Sequence, residues 1–536
     1  MTRSVKSALN LADLFEVVAE EVPDRLALAS GDSHRTYGEL DRRANQLARH
    51  FTELGVGKDA KVAIYAWNRV EWVEALIAAY KVRAAAININ YRYVAEELRY
   101  VLDDSDAEIV VVERAFLPTL AAIRDGLPRL KHVVVLDDGT PGGNAPWPDA
   151  VDFEDALAAQ SDGPLGIERD GGDLYMLYTG GTTGMPKGVM WRHEDLFQAA
   201  LMGLVFTGSV VTDPEQLRDR IVPEDTRPIT MTVAPIMHGA AQWGMYIGLF
   251  TGATAVLYGA HGFDPMEVWR GVARERCNRI MVVGDAIARP LVEALDAPGF
   301  DLDVSCVQAI GSGGALFSDV VKDEYRAKFP GIMISDSIGS SEMGASGSPA
   351  GTGQRFKLTA NMSVLDEEMR PVVPGSGAVG MLARKGAIPL GYYKDQAKTD
   401  ATFIPDPDGV RWVIPGDFAT VEADGTVVLL GRGTACINTG GEKVFPDEVE
   451  AALKRHPAVD DVLVVGVPDE RFGQRVAAVV QPREGMQPTL DELSAFAREW
   501  VAGYKVPRDL RLVEAIGRTA SGKADYAWAR RVFAET

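Results

Sequence analysis

YTGGTTGMPKGV, residues 178–189, follows the apolar run Leu174–Leu177 and packs four glycines, three threonines and one lysine into a single short loop. Glycines let backbone N–H groups approach a ligand closely, threonine hydroxyls add donors, and the lysine adds a point positive charge. That combination suits a polyphosphate. A Gly/Thr turn of no function has the same composition, so the stretch gains meaning only from what surrounds it.

At 536 residues the chain exceeds what one core accommodates, and its 46% hydrophobic content is ample for two or more domains. The net charge of −21 disfavours nucleic acid or an anionic surface as the main partner, so any bound anion must meet a local positive site. Cys277, Cys306 and Cys436 lie far apart without metal or disulfide spacing, which fits a reducing cytoplasm. The first residues, MTRSVKSALNLADLFEVV, lack a continuous apolar core with a cleavage site, so no signal peptide is expected. Pro228–Phe263 carries no Asp, Glu, Lys or Arg, yet Pro235, His238, Gln242 and four glycines divide it, as expected for buried strands and a helix instead of a membrane span.

Short apolar runs recur: KVAIYA from Lys61, EIVVVE from Glu108, HVVVLD from His132, ITMTVAP from Ile229 and RIMVVG from Arg279. Helical patterns such as VEWVEALIAAY from Val70 sit between them. Alternation of this kind predicts an α/β fold with mostly parallel sheets in a large N-terminal domain of several subdomains. After Arg432 the rhythm changes to a compact α+β unit: a helix from Asp447, strands at 462–465 and 476–481, a helix from Leu490 and a strand near 510–513. The predicted division is 1–431 and 432–536, with the joint near Gly433-Thr434.

Two motif matches fail on context. GSGAVG (375–380) fits the dinucleotide pattern but leads into MLARKG, which reads as a strand, where a helix is required. GRTASGK (517–523) fits the Walker pattern, but Ala524 stands where a magnesium-holding Ser or Thr belongs.

The remaining stretches, in order, resemble the adenylate-forming acyl-activating enzymes, the superfamily of acyl-CoA synthetases, peptide-synthetase adenylation domains and beetle luciferases. YTGGTTGMPKG is similar to that family's phosphate loop, with Gly180 in place of Ser. Pro235-Ile236-Met237-His238 resembles its acyl-site segment, SGGALF from Ser312 its adenine turn, DSIGSSE from Asp336 its Y-G-x-T-E segment, and Pro415-Gly416-Asp417 its T-G-D motif. GRGTACINTGGEKVFPDEVE from Gly431 resembles the interdomain joint, and TASGKAD from Thr519 the C-terminal lysine segment. The resemblance spans nearly the whole chain.

The resemblance implies an ATP- and Mg²⁺-dependent ligase that joins a carboxylic acid to AMP and then passes the acyl group to CoA, with the small domain as a mobile lid. Attack of a carboxylate on a phosphate brings two anions together, so catalysis rests on charge neutralisation and positioning. By resemblance, Thr179, Thr182, Thr183, Gly184 and Lys187 hold the phosphates, and Glu342 holds Mg²⁺. Gly313, Gly314, Ala315, Asp336, Ser337, Ile338, Gly339 and Ser341 surround the adenine, while Asp417 and Arg432 take the ribose. Lys523 bridges the acid and the α-phosphate, and Gly440 and Gly441 face the pantetheine arm. His238, Gln242 and Gly311 belong to the acyl site. Ile338 departs from the family, which has an aromatic there. Small residues in GAAQWG and GSGG favour a medium- or long-chain or bulky, steroid-type acid over acetate, and the loop's wording resembles actinobacterial synthetases for such acids. The alternative is an adenylating enzyme that passes its acyl group to an amine or a free carrier protein. Peripheral membrane contact and a homodimer are left open.

Overall fold

The computed structural model describes residues 9–141, 150–179, 185–201, 210–315, 317–351, 354–432, 435–439, 442–469, 473–519 and 524–534, with the backbone alone at 349, 432, 438, 442 and 443. The runs at 61, 108 and 132 form a sheet ordered Ala85–Asn88, Lys61–Tyr65, Ile109–Glu113, His132–Leu136, Val151–Asp152, parallel throughout. Lys61–Tyr65 and Ile109–Glu113 are buried at every position, the reason they read as unbroken apolar runs. The helix Val70–Lys81 is buried nearly all round, because it lies beneath a second helix, Tyr37–Glu53, and against strands of two sheets. Tyr37–Glu53 starts with a capping box: Thr36 Oγ1 accepts from the Glu39 N–H at 3.2 Å, and the Glu39 carboxylate accepts from the Thr36 N–H at 2.8 Å. Such a cap contributes about 1 kcal/mol.

A second, fifteen-stranded sheet carries the rest of the large region. Leu26–Ser30, Thr254–Leu257, Ile229–Thr232, Arg279–Val282, Ala309–Gly313 and Met333–Ser340 run parallel in that order. Beyond Met333–Ser340 the sheet reverses. Gly344–Pro349, Arg355–Leu358, Val427–Arg432, Asp417–Val421 and Gly380–Lys385 continue it with antiparallel pairing. The expectation of mostly parallel sheets therefore needs correction over this half, whose strands are short and mixed in polarity and mostly pair with a near neighbour in sequence. A three-stranded antiparallel sheet, Gly391–Tyr392, Lys187–Arg192 and Leu174–Thr179, lies beside it. Gly380–Lys385 is a strand, as the rejection of the dinucleotide match requires.

The charge-free stretch resolves into the strand Ile229–Thr232, the helix Gly239–Leu249 and the strand Thr254–Leu257. Among the described residues no helix is long and apolar enough to cross a membrane. The C-terminal unit has its own five-stranded sheet, built on the long hairpin Val459–Asp469 and Gly473–Pro482, with helices Pro446–Leu453, Leu490–Ala497 and Tyr526–Ala534. The strands Ile437–Thr439 and Glu442–Val444 and the last helix go beyond the sequence reading.

Candidate active site

A cavity of about 440 Å³ opens where the large sheet changes from parallel to antiparallel. The ends of parallel strands at a change of topology are where ligands bind in α/β proteins. Thr179, Gly314, Ala315 and Asp417 line it, together with Asp336 to Gly339 along one strand and Ser341 and Glu342 in the turn beyond. These residues come from four separate stretches of sequence. The small domain closes the opposite side with Lys454, Arg518, Thr519 and Tyr526.

The backbone leaves room for a ligand. Gly314 has φ of +85°, a conformation that side chains disfavour. A Cβ on Gly339 would lie 2.5 Å from the Gly344 carbonyl oxygen, so the antiparallel pairing that forms this wall requires glycine. Between them the strand Met333–Ser340 turns Asp336 and Ile338 inward. Burial raises the Asp336 carboxyl above its ordinary range, while the Lys322 ammonium, 3.0 Å away, works against that rise. Ile338 is half-buried and packs on the main hydrophobic core. The Ser337 hydroxyl donates to the Ser312 carbonyl at 3.1 Å, and the Ser341 carbonyl accepts from Trp191 Nε1 at 2.9 Å.

Glu342 accepts a hydrogen bond from the Tyr392 hydroxyl at 2.9 Å. The turn that carries it is held from beneath by Arg384, whose guanidinium donates to the carbonyls of Met343 (2.6 Å), Ala345 (2.8 Å) and Ala199 (3.2 Å). Arg384 is buried, no carboxylate pairs with it among the described residues, and burial lowers its pKa to about 10, so it remains a cation at neutral pH. Lys187 forms an ion pair with Asp395, and its ammonium lies 6.0 Å from the centre of the Tyr392 ring. It does not line the cavity in this arrangement. No group of three His, Cys, Asp or Glu side chains among the described residues could hold a metal. Glu342, a carboxylate lining the cavity, is of the kind that holds Mg²⁺ together with phosphate oxygens and water.

Other candidate residues fall elsewhere. Gln242 is buried, its Oε1 accepting from the Tyr175 hydroxyl at 2.6 Å and its Nε2 donating to the Ile236 carbonyl at 3.2 Å, so each end of the amide has a partner within the fold. His238 precedes the helix Gly239–Leu249 and stands outside the cavity lining. A Cβ on Gly311 would sit 3.1 Å from Ser335 Oγ and 3.3 Å from Met281 Sδ, while one on Gly244 would have only the Met281 methyl within reach, at 3.9 Å. Gly244, Met281 and Gly311 are half-buried and Ser335 is exposed; a side chain at Gly311 would press on its neighbours, while the space beside Gly244 is open. Gly313 backs the strand next to Ser337, with no space for a side chain. The Arg432 backbone pairs with Asp417. Thr182, Thr183, Gly184, Gly440, Gly441, Lys523 and the joint at Gly433-Thr434 lie outside the described residues.

Sequence reading missed the charged contacts between the domains. Lys454 Nζ lies 3.3 Å from Asp285 Oδ2 and 3.1 Å from Asp461 Oδ1, and Arg518 also pairs with Asp461. Burial disfavours the Lys454 charge, but Asp285 and Asp461 outweigh it and raise its pKa. Next to them Glu450 accepts from the Val464 N–H at 2.8 Å, and its carboxyl is pushed up to about 8, first by burial and then by Asp447. Arg455 pairs with Asp319, and Arg289 with Asp460. Asp285 and Lys454 are separated by 169 residues, so no local signal announces the pair.

The model of the AMP-binding enzyme family matches residues 15–393, and that of the AMP-binding enzyme C-terminal domain matches 448–523. A 3-oxocholest-4-en-26-oate–CoA ligase of Rhodococcus rhodochrous is 48% identical, covering 98% of this chain and 96% of that protein. A medium/long-chain-fatty-acid–CoA/3-oxocholest-4-en-26-oate–CoA ligase of Mycobacterium tuberculosis is 46% identical over the same shares. The fold is similar to that of an anthranilate CoA ligase crystallised with anthranoyl-AMP, with a TM-score of 0.85, 24% identity and 98% of both chains covered. With family models matched on both sides of the cavity and relatives nearly half identical end to end, this chain belongs to the AMP-binding enzymes.

Proposed function

We propose that this protein is an AMP-forming acid–thiol ligase that activates a medium- or long-chain or steroid-type carboxylic acid as its acyl-adenylate and transfers the acyl group to CoA. The observation that carries the reading is the cavity at the sheet reversal, where Gly314, Asp336, Ile338, Glu342 and Asp417 converge beneath the small domain. In this reading the adenine lies along Gly314, Ala315 and Asp336 to Ile338, and Asp417 accepts from the ribose hydroxyls. Thr179, Thr182, Thr183, Gly184 and Lys187 receive the β- and γ-phosphates. Lys523, by its place in the sequence, meets the charge that develops between the acid and the α-phosphate. Glu342 would hold Mg²⁺, which would supply further neutralisation of that charge. Domains 1–431 and 432–536 turn about Gly433-Thr434 between the two half-reactions, and Gly440-Gly441 then faces the thiol. A cytoplasmic location is part of this reading, supported by the free cysteines Cys277, Cys306 and Cys436.

The relatives that act on fatty and steroid side-chain acids point to the acid. The open space beside Gly244 supports the same choice, because a bulky apolar chain needs small residues along its path. The test is pyrophosphate release from ATP with acetate, dodecanoate and a C26 steroid acid, with and without CoA. Release with the larger acids, accelerated by CoA, is expected. Acetate as the best acid would refute the assignment of the acid. Adenylation unaffected by CoA would replace the thiol ligase with an enzyme serving an amine or a carrier.

A further inference from the structure

Glu342 and Lys187 carry the opposite charges of the proposed phosphate and metal site, and both are tied to one short turn. Tyr392 is buried, and its hydroxyl donates to Glu342 Oε1 at 2.9 Å. Its backbone is fixed by pairing with Val189 and by donation of its N–H to Thr399 Oγ1 at 2.9 Å. That Thr399 hydroxyl donates in turn to the Asp395 carbonyl at 2.8 Å. Asp395 uses its two carboxylate oxygens separately. Oδ1 caps the helix Gln396–Thr402 by accepting from the Lys398 N–H at 2.9 Å, and Oδ2 pairs with Lys187.

This division of partners has a chemical consequence. A lysine free to swing between two acids would be drawn to whichever is nearer, and a lysine on Glu342 would occupy the carboxylate needed by the metal. Asp395 takes the lysine instead. Among the described residues no cation lies within ion-pair distance of Glu342, so Oε2 stays available while Oε1 is oriented by Tyr392. A protein carboxylate that holds Mg²⁺ together with phosphate oxygens works best when a hydrogen bond fixes its direction.

We propose that the turn Tyr392–Asp395 is the positioning element of this site: the Tyr392 hydroxyl aims Glu342 at the metal, and Asp395 holds Lys187 until the nucleotide's phosphates replace it. The proposal rests on the reading of Glu342 and Lys187 given above. Calorimetric titration with α,β-methylene-ATP, with Mg²⁺ and with EDTA, tests it without turnover, and AMP serves as a ligand that lacks the outer phosphates. In the wild type Mg²⁺ strengthens analogue binding, and Glu342→Gln removes that gain. Tyr392→Phe deletes one hydrogen bond to a charged group and reduces the gain about tenfold, leaving AMP binding and the melting temperature unchanged. Asp395→Asn retains an oxygen for the helix cap and releases Lys187, so analogue binding in EDTA tightens about fivefold while AMP binding stays the same. If Glu342→Gln keeps the full magnesium gain, the reading of Glu342 falls and this proposal with it. If Glu342→Gln loses the gain and Tyr392→Phe keeps it, the proposal alone is overturned. Unchanged or weaker EDTA binding in Asp395→Asn overturns the role given to Asp395.

Discussion

Replacing Lys454 by methionine isolates what the buried charge cluster does for the docking of the two domains. Methionine keeps most of the lysine's length and apolar stem but removes the cation from between Asp285 and Asp461. Side-chain exposure is 4% at Lys454 and 5% at Asp285, so the lysine's loss strands an acid that, among the described residues, keeps the Ser318 N–H at 2.9 Å. Breaking a buried pair by removing one partner costs about 3–5 kcal/mol. Here the chain has an exit other than unfolding, because separation of the domains lets water reach Asp285. At about 1.4 kcal/mol per tenfold, docking then weakens between roughly 100- and 5,000-fold. The more exposed Arg455–Asp319 pair remains, worth at most about 1 kcal/mol. The expected outcome is faster proteolysis at the joint between the domains and ATP–pyrophosphate exchange slowed at least tenfold, while thioester formation from supplied acyl-adenylate changes little. Asp285→Asn removes only the interdomain partner, leaves Asp461 and Arg518 in place, and should act in the same direction. Wild-type protease resistance and exchange in both variants would refute the reasoning. A lowered melting temperature in Lys454→Met alone, with docking intact, would confine the lysine's role to the small domain.

Glu450 predicts a pH dependence. Its carboxyl, pushed up to about 8 from 4.5, keeps its proton in the folded chain where the unfolded chain has lost it. Its contribution to stability therefore falls as pH rises from about 4.5 to about 8, by at most about 1.4 kcal/mol per unit, and denaturation midpoints of Glu450→Gln should show a shallower decline over that range. Ile338→Tyr should lower the Michaelis constant for ATP and leave that of the acid unchanged, since base–aromatic stacking is worth about 1–3 kcal/mol; a shift confined to the acid would move Ile338 to the acyl site. Gly244→Leu should lower kcat/KM at least tenfold for a steroid acid and less than twofold for a short acid, and equal losses for both would remove Gly244 from the acyl path.

The parts of this fold legible in the sequence are those buried on both faces. Lys61–Tyr65 and Ile109–Glu113 stand out because no position meets water. The antiparallel half gave no such signal: Arg411–Val413 is three residues long, and Arg355–Leu358 pairs with Val427–Arg432 across a long interval. The same divide runs through the site. Asp336 to Glu342 and Asp417 were named by resemblance to family motifs, and the structure brings them to one cavity. The partner of the Gln242 amide, Tyr175, is 67 residues away, and a sequence does not show such a contact. Tyr392 and Arg384 were overlooked for a related reason. Each works through another residue's carboxylate or carbonyl, and nothing in an isolated Tyr or Arg records that.

The order of strands in the large sheet also bears on how the chain is made. Leu26–Ser30 is among the first strands synthesised, yet its parallel neighbour is Thr254–Leu257, with Leu28 opposite Ala255. At roughly 5–20 residues per second, on the order of 10–45 s of synthesis separate the two. Throughout that interval the apolar segment LALAS has only the short hairpin partner Ser33–Thr36 and an open edge on its other side. Ribosome-bound chains shorter than about 257 residues thus carry an unpaired apolar edge, and translation that stalls before Thr254 releases a product that cannot complete its central sheet.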